Sequence, residues 1–269
     1  MKKICLCLVL VMLITATIGC KRKEEPAPSK YKEYICSDIN LVCIDVGKKY
    51  ERETDRFLGG GYRDFTYYTP KGTSDDQFVC VTITDLFRCS TTYVLQNPKD
   101  LVDVWTDWTV REIQVYYPVS EIDPFSGEIA RIPAGILAST TDAECIAQLI
   151  HCIASEETRD FAEVREEADA DGGLYRKDLD GDSSKKTRIY IRVFFNESES
   201  IVWDSQIGCY RNVFTEKQYL ILNKDDTIWD KENGLFGPAT KEIAVENLPA
   251  LEQFLLDALE GFSAENLEK

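Results

Sequence analysis

Histidine is almost absent from this sequence, with one residue, His151, in 269. Catalysis by an activated serine or cysteine needs an imidazole beside the nucleophile and an acid that orients it. No G-x-S-x-G motif occurs, and His151 lies opposite the apolar stripe of a predicted helix, so we expect it to face solvent. These absences argue against a histidine-dependent hydrolase.

Motifs for nucleotides and for zinc are missing as well. Gly59-Gly60-Gly61 is followed by no lysine at the spacing of a phosphate-binding loop, and no C-x-x-C pair is present. Basic residues are also in deficit, 31 against 47 acidic ones, for a formal charge of −16. Such a surface repels phosphate backbones, so we predict no nucleic-acid partner.

The sequence also lacks an apolar run long enough to span a bilayer comfortably. The uncharged stretch from Ile4 to Gly19 has 16 residues, whereas a membrane-spanning helix needs roughly 20. It follows Lys2 and Lys3 and ends in small residues, which is the order of a secretory signal. Lys21-Arg22-Lys23 comes next, and an uncleaved anchor with a basic flank remains the alternative.

The four residues Thr17-Ile18-Gly19-Cys20 resemble the lipobox of bacterial lipoproteins. The resemblance implies that Cys20 is diacylated, becomes the mature N-terminus and holds the protein on the extracytoplasmic face of the cell membrane. Two acyl chains suffice for stable anchoring. The segment that follows, 21–32, is charged and contains two prolines, as expected of a solvated tether.

We therefore divide the chain into a signal peptide (1–19), a tether (20–33), a β-rich part (34–140), and a part built from a helix, a β-meander and a last helix (141–269). The last two parts are expected to be separate or to form one compact unit. Alternating apolar residues predict strands, for example in 78–84, which can pair with 90–95, and in 187–195, where Ile189, Ile191 and Val193 share a face.

Two amphipathic helices complete the predicted fold. The first, 141–154, starts with a Thr141–Glu144 capping box, and the second is capped by Asn247. Strands, helix, strands and helix in this order predict the α+β class: a mainly antiparallel sheet with two packed amphipathic helices.

Cysteine is plentiful, with ten residues, of which seven lie beyond Cys20. An odd number leaves at least one thiol free. We expect most of them to be small core residues, and we consider Cys36–Cys43 and Cys80–Cys89 the first bridges to test. The four tryptophans, Trp105, Trp108, Trp203 and Trp229, are predicted to be core residues in preference to a sugar-stacking platform.

One short loop has the composition of a metal site. Asp178, Asp180 and Asp182 alternate around Leu179 and Gly181, and such carboxylates can converge on Ca²⁺. The loop does not fit the twelve-residue EF-hand template, because Ile189 stands where the bidentate glutamate is required. A looser calcium site is the hypothesis, and a polar turn is the alternative.

The sequence predicts a lipid-anchored, extracytoplasmic lipoprotein that binds a protein or small ligand at the cell surface without catalysis. The alternatives are a cell-envelope hydrolase that uses carboxylates and a calcium-stabilised structural domain. The acidic stretch 156–171 is either a solvated face or a docking surface for a basic protein.

Overall fold

The computed structural model describes part of the chain and carries the fold in two β-sheets and three helices. The described residues are 31, 33–38, 40–56, 62–74, 76–84, 90–122, 129–155, 166, 174–176, 189–212, 218–225 and 240–260. Residues from Glu33 onward belong to one compact unit. The fold described below lies within that unit.

Twelve strands and three helices make up the regular structure of these residues. The strands are β1 (Leu41–Cys43), β2 (Val46–Arg56), β3 (Tyr62–Pro70), β4 (Phe78–Thr84), β5 (Ser90–Gln96), β6 (Val110–Ile122), β7 (Ile129–Thr140), β8 (Leu174–Arg176), β9 (Ile189–Phe195), β10 (Ile201–Asn212), β11 (Gln218–Asp225) and β12 (Thr240–Val245). The helices are α1 (Val104–Asp107), α2 (Ala143–Ala154) and α3 (Pro249–Glu260).

The larger sheet has eight strands, in the order β12-β11-β10-β9-β6-β7, with β1 and β8 each paired to β10. Every pairing in it is antiparallel. The smaller sheet is the antiparallel meander β2-β3-β4-β5. The predicted α+β class with a mainly antiparallel sheet is confirmed.

The strands predicted from alternating apolar residues are confirmed in β4, β5 and β9. In β4 and β5, Thr84 lies opposite Ser90 and Cys80 opposite Val94, which is the predicted hairpin. In β9, Ile189, Ile191 and Val193 are fully buried on one face. This face belongs to the main apolar core, because alternate residues of a strand point to the same side of the sheet.

The N-cap of helix α2 lies one position later than predicted. Asp142 is the N-cap residue, and its side chain accepts a hydrogen bond from the Cys145 amide at 2.9 Å. The Thr140 hydroxyl in turn accepts from the Asp142 amide at 3.0 Å. The predicted Thr141–Glu144 capping box is therefore wrong. Asp142, one residue further along, caps the first turn through the Cys145 amide instead. His151 is exposed, as predicted.

Helix α3 is capped by a residue of another helix. The amides of Ala250 and Leu251 donate to Gln148 Oε1 of α2, at 2.9 and 3.1 Å. Asn247, the predicted cap, instead has a φ of 58° in the turn before the helix. Asparagine tolerates this left-handed conformation better than most residues do. The interaction that caps the start of α3 is thus tertiary, and no local sequence motif predicts it.

An aromatic cluster fills the core where the two sheets meet. Trp105 packs edge-on against Trp203, with ring centroids 5.1 Å apart, and Trp108 contacts both Phe78 of the smaller sheet and Phe195 of the larger one, at 5.5 and 5.3 Å. Trp203 is fully buried. The core interpretation is confirmed for these three tryptophans, and Trp229 lies outside the described residues.

Neither of the two disulfide bridges considered first, Cys36–Cys43 and Cys80–Cys89, is formed. Cys36, Cys43 and Cys80 are free thiols, whereas Cys89 lies outside the described residues. Cys36 follows Ile35, which bridges to Gln96 of the smaller sheet, while Cys43 is paired to Ile201 of the larger sheet. Ser90, the neighbour of Cys89, lies opposite Thr84, about 13 Å along the strand from Cys80.

Candidate functional site

The predicted site residues lie outside the part of the chain that the structure describes. This holds for Cys20 and for Asp178, Asp180 and Asp182, so acylation and calcium binding stay predictions. Among the described residues, no group of three or more His, Cys, Asp or Glu side chains is arranged to hold a metal ion. No helix in this same part is long and apolar enough to cross a membrane.

The structure instead shows an open cleft where β11 and β12 meet the start of α3. Its volume is about 300 Å³, at the lower end of the range for small-molecule sites. The described residues around it are Tyr219, Leu220, Ala244, Val245, Glu246, Asn247, Pro249 and Glu252. We refer to this feature as the acidic cleft.

Strand alternation and one tight turn shape the acidic cleft. Leu220 and Val245 are cross-strand partners that enter the core, so their neighbours Tyr219 and Ala244 point to the opposite face of the sheet. After Val245 the chain turns through Asn247, and Pro249 opens α3. Proline suits the first helical position, because its fixed φ is helical and no amide is lost there. The acidic cleft is lined by residues of this turn and of the two strands.

Helix α3 presents no unsatisfied amide to the cleft from its first turn. Pro249 has no N–H, and the amides of Ala250 and Leu251 donate to Gln148. The amide of Glu252 donates to the Leu248 carbonyl at 2.8 Å. Anions bind at helix N-termini through free amides. The first turn therefore does not form an anion site.

The side chains around the cleft favour a positive ligand. Glu246 and Glu252 supply two carboxylates, and Tyr219 supplies an aromatic ring. No lysine or arginine occurs among the described residues that line it. Carboxylates attract an ammonium or guanidinium group by charge, and a tyrosine ring attracts the same group through its π-face. The arrangement suits an organic cation.

A second polar cluster is formed by buried side chains of three strands of the same larger sheet. Arg192 of β9 donates from Nε and Nη2 to the two carboxylate oxygens of Asp204 on β10, at 2.7 and 2.6 Å. The Tyr116 hydroxyl of β6 donates to Asp204 Oδ2 at 2.8 Å, and Arg192 Nη2 donates to that hydroxyl at 3.2 Å. We refer to these three residues as the Arg192 cluster.

Aromatic rings complete the packing of the Arg192 cluster. The Arg192 guanidinium carbon lies 4.6 Å from the centre of the Tyr116 ring, and the Tyr116 ring stacks on Tyr190 with centroids 5.7 Å apart. Only 6% of the Arg192 side chain and 13% of the Asp204 side chain are exposed. The geometry satisfies a charged pair that burial would otherwise penalise.

The protonation states of the Arg192 cluster follow from this geometry. Burial disfavours the charged guanidinium, but the hydrogen bonds and the charge of Asp204 outweigh it and hold the pKa of Arg192 above its usual value. Burial, then the charge of Asp204, raises the pKa of the Tyr116 phenol far above its usual value. Tyr116 is therefore neutral and is a poor base, and Arg192 already has its counter-ion. The cluster joins three strands and offers no reactive group.

Sequence reasoning missed both features. A signal for the Arg192 cluster is present, since Arg192 interrupts the apolar strand Ile189–Phe195, and a charge in such a strand must find a partner. The acidic cleft carries no local signal, because Tyr219 and Glu252 meet only through the turn after β12.

Comparison with known proteins adds no relative from which a function could be transferred. No protein family matches this sequence, and no curated protein or solved structure matches it.

Proposed function

We propose that this chain is a lipoprotein, anchored by acylated Cys20 on the extracytoplasmic face of the cell membrane, whose domain binds a ligand without catalysis. Support for the anchor comes from the sequence alone: an apolar segment ends at Gly19-Cys20 and a charged tether follows. The observation that carries the binding proposal is the acidic cleft, with Glu246, Glu252 and Tyr219 around a volume of about 300 Å³.

The ligand class follows from the lining of the cleft. Two carboxylates and one aromatic ring suit an amine or guanidinium, either in a small molecule or in the basic side chain of a protein partner. An overall charge of −16 attracts such a cation before contact. Nucleic acid is excluded from the proposal because the same field repels its phosphates.

Metabolic labelling with palmitate tests the anchor in the bacterial membrane. We expect label in the full chain and its complete loss in Cys20→Ala, because no other residue of the lipobox can form the thioether. Cys7→Ala is the matched control, since Cys7 lies in the signal segment and leaves with it. Equal labelling of Cys20→Ala and the wild type would contradict acylation at this position.

Spermidine is a suitable probe of the cleft, since it is a flexible organic cation. We expect saturable binding by calorimetry that weakens as salt rises, and a clear loss in the Glu246→Gln/Glu252→Gln double variant. Glu260→Gln is a matched control, because Glu260 is an exposed glutamate at the far end of α3. Unchanged binding in the double variant would remove the cleft from the proposal.

A hydrolase is the second candidate function, and one observation favours it. The cleft contains two carboxylates, Glu246 and Glu252, and glycoside hydrolysis uses a carboxylate pair as acid and base or nucleophile. New reducing ends released from cell-wall glycan by the wild type, and not by Glu246→Gln, would support this candidate. Ligand binding without turnover supports the first one.

A calcium site at Asp178, Asp180 and Asp182 is the third candidate, and its support is the alternation of carboxylates. We expect Ca²⁺ to raise the melting temperature and a chelator to reverse the change, since a ligand that binds only the folded state stabilises it. The Asp180→Asn variant should lose this response. A melting temperature that is the same with and without Ca²⁺ would eliminate the site.

We also propose that α2 and α3 act as a packed amphipathic pair on the larger sheet. Support comes from the Gln148 contact with Ala250 and Leu251, and from the apolar residues that each helix buries. These are Cys145, Leu149, Cys152 and Ile153 in α2 and Leu251, Leu255 and Ala258 in α3. The pair places the first turn of α3 beside the cleft.

A further inference from the structure

Strand β12 forms one edge of the larger sheet. Its described neighbour is β11, with Val245 opposite Leu220 and Thr240 opposite Asp225. In an antiparallel pair, alternate residues direct their N–H and C=O groups toward the neighbouring strand, and the others direct them away from it. The outer side of β12 therefore carries backbone donors and acceptors for which, among the residues that the structure describes, no strand provides a partner.

The edge formed by β12 leads into the acidic cleft. Ala244 and Val245, the last two residues of the strand, line the cleft, and Glu246 follows them in the chain. Glu252 lines it from the first turn of α3. The basic residue of the strand, Lys241, lies toward the other end of β12. An extended chain paired to β12 therefore runs toward the two glutamates.

The two edges of the larger sheet differ in their regularity. At the opposite edge, the pairing of β7 with β6 shifts register twice, between Val115 and Tyr116 and between Tyr117 and Pro118. Such irregularities protect an edge strand from pairing with another chain. The six residues of β12 pair with β11 in unbroken register. Strand β12 is thus the edge of this sheet that is suited to accept a further strand.

We propose that an extended segment of a basic partner protein adds to the larger sheet beside β12 and places a lysine or arginine side chain in the acidic cleft. The inference rests on the function proposed above, because it takes the cleft as the cation site and assigns its ligand to a protein. Charge favours this occupant over a second copy of the chain, since a copy brings a formal charge of −16 to a cleft that contains two glutamates.

Strand addition divides affinity and specificity between backbone and side chains. Main-chain hydrogen bonds to β12 hold any extended segment, and the cleft selects the segment that carries a positive charge. Side chains of an added strand alternate between the two faces of the sheet. Tyr219 and Ala244 lie on the face opposite the main core. The basic residue of the partner is therefore one that points to this face, beside the tyrosine ring.

A short fluorescent peptide, with lysine at the centre of alternating valine and threonine, tests the proposal by anisotropy with the full chain. We expect saturable binding that spermidine displaces and that replacement of the lysine by glutamate abolishes. Two further peptides carry N-methyl groups on alternate amides, one set in each phase. The phase whose amides face β12 should bind about ten-fold more weakly, because several hydrogen bonds are lost. Equal affinity of the two methylated peptides would overturn strand addition.

Amide hydrogen exchange of the wild type locates the added strand without any variant. The peptide should slow exchange in 240–246, and spermidine should not, because it has no backbone to pair with β12. Strand β7 is the matched control, and protection there in place of β12 would overturn the proposal. Spermidine binding without protection of β12 by the peptide would leave the cleft as a cation site and overturn strand addition. Protection of β12 with unchanged peptide affinity in Glu246→Gln/Glu252→Gln would overturn the placement of the basic side chain in the cleft.

Discussion

The Arg192 cluster and the acidic cleft show two ways in which one sheet uses carboxylates. Asp204 is buried against a guanidinium and a phenol, so its charge is neutralised within the protein. Glu246 and Glu252 border an open hollow whose described lining contains no basic residue. A carboxylate neutralised in the interior is held within the fold, whereas carboxylates that border an open cleft add to the negative field that a cation meets from outside.

Breaking the Arg192 cluster should have the largest effect on stability. Arg192→Met leaves the Asp204 carboxylate and the Tyr116 hydroxyl without their buried cation, and we expect a loss of about 3–5 kcal/mol in the free energy of unfolding. Urea denaturation followed by circular dichroism measures it.

The double variant Arg192→Met/Asp204→Leu is the control for an unpaired charge. It should recover part of the loss, because no isolated carboxylate remains, although the Tyr116 hydroxyl still lacks its acceptor. A single variant as stable as the wild type would show that the cluster contributes nothing to the fold.

The cap that supports the cleft should have an intermediate effect. Gln148→Ala removes the acceptor of the Ala250 and Leu251 amides, and we expect a loss of about 1–2 kcal/mol, as for other capping interactions. The variant Gln148→Glu keeps an acceptor oxygen and should lose less. Equal losses in the two variants would mean that packing of the side chain matters more than its hydrogen bonds.

Alkaline pH should weaken the cluster through Tyr116. The folded state holds the pKa of this phenol above its usual value, so stability is fully present below about pH 10 and falls above it, where the unfolded tyrosine ionises. One such group costs about 1.4 kcal/mol per pH unit. The difference in unfolding free energy between the wild type and Tyr116→Phe should therefore shrink between pH 10 and 11. A constant difference would contradict this assignment.

Changes at the cleft should have the smallest effect on stability and a clear effect on binding. For Glu252→Gln we expect the free energy of unfolding to stay within about 0.5 kcal/mol of the wild type, because the residue is at the surface of the cleft. Spermidine affinity should fall several-fold, as expected for the loss of one partly exposed ion pair. A destabilisation as large as that of Arg192→Met would abolish the contrast between the two regions.

Prediction from the sequence succeeded where a signal is local. The hairpin between β4 and β5 and the apolar face of β9 follow from alternation, and the exposure of His151 follows from helical periodicity. Prediction failed at the N-terminal caps of both long helices. The Thr141–Glu144 box and the Asn247 cap are local motifs, but Asp142 and the distant Gln148 provide the hydrogen bonds.

The cysteines illustrate the same limit. Cys36 and Cys43 are close in sequence, yet the chain between them passes from the smaller sheet to the larger one. Cys43 instead packs against the main apolar core, to which the buried Cys80 of β4 also belongs. Distance along the chain is a poor guide to contact in an antiparallel fold with two sheets, since neighbours in space come from strands that are far apart in sequence.

The amino-acid sequence by itself determined the strand faces, the α+β class and the acidic composition, because each depends on periodicity or on residue counts. The resemblance of Thr17–Cys20 to a lipobox is equally a property of adjacent residues. Only the tertiary structure decided which polar groups are neutralised, as at Arg192 and Asp204, and which surround a cleft, as at Glu246 and Glu252. The reason is that burial and charge pairing depend on distances in space, which the packing of strands and helices sets.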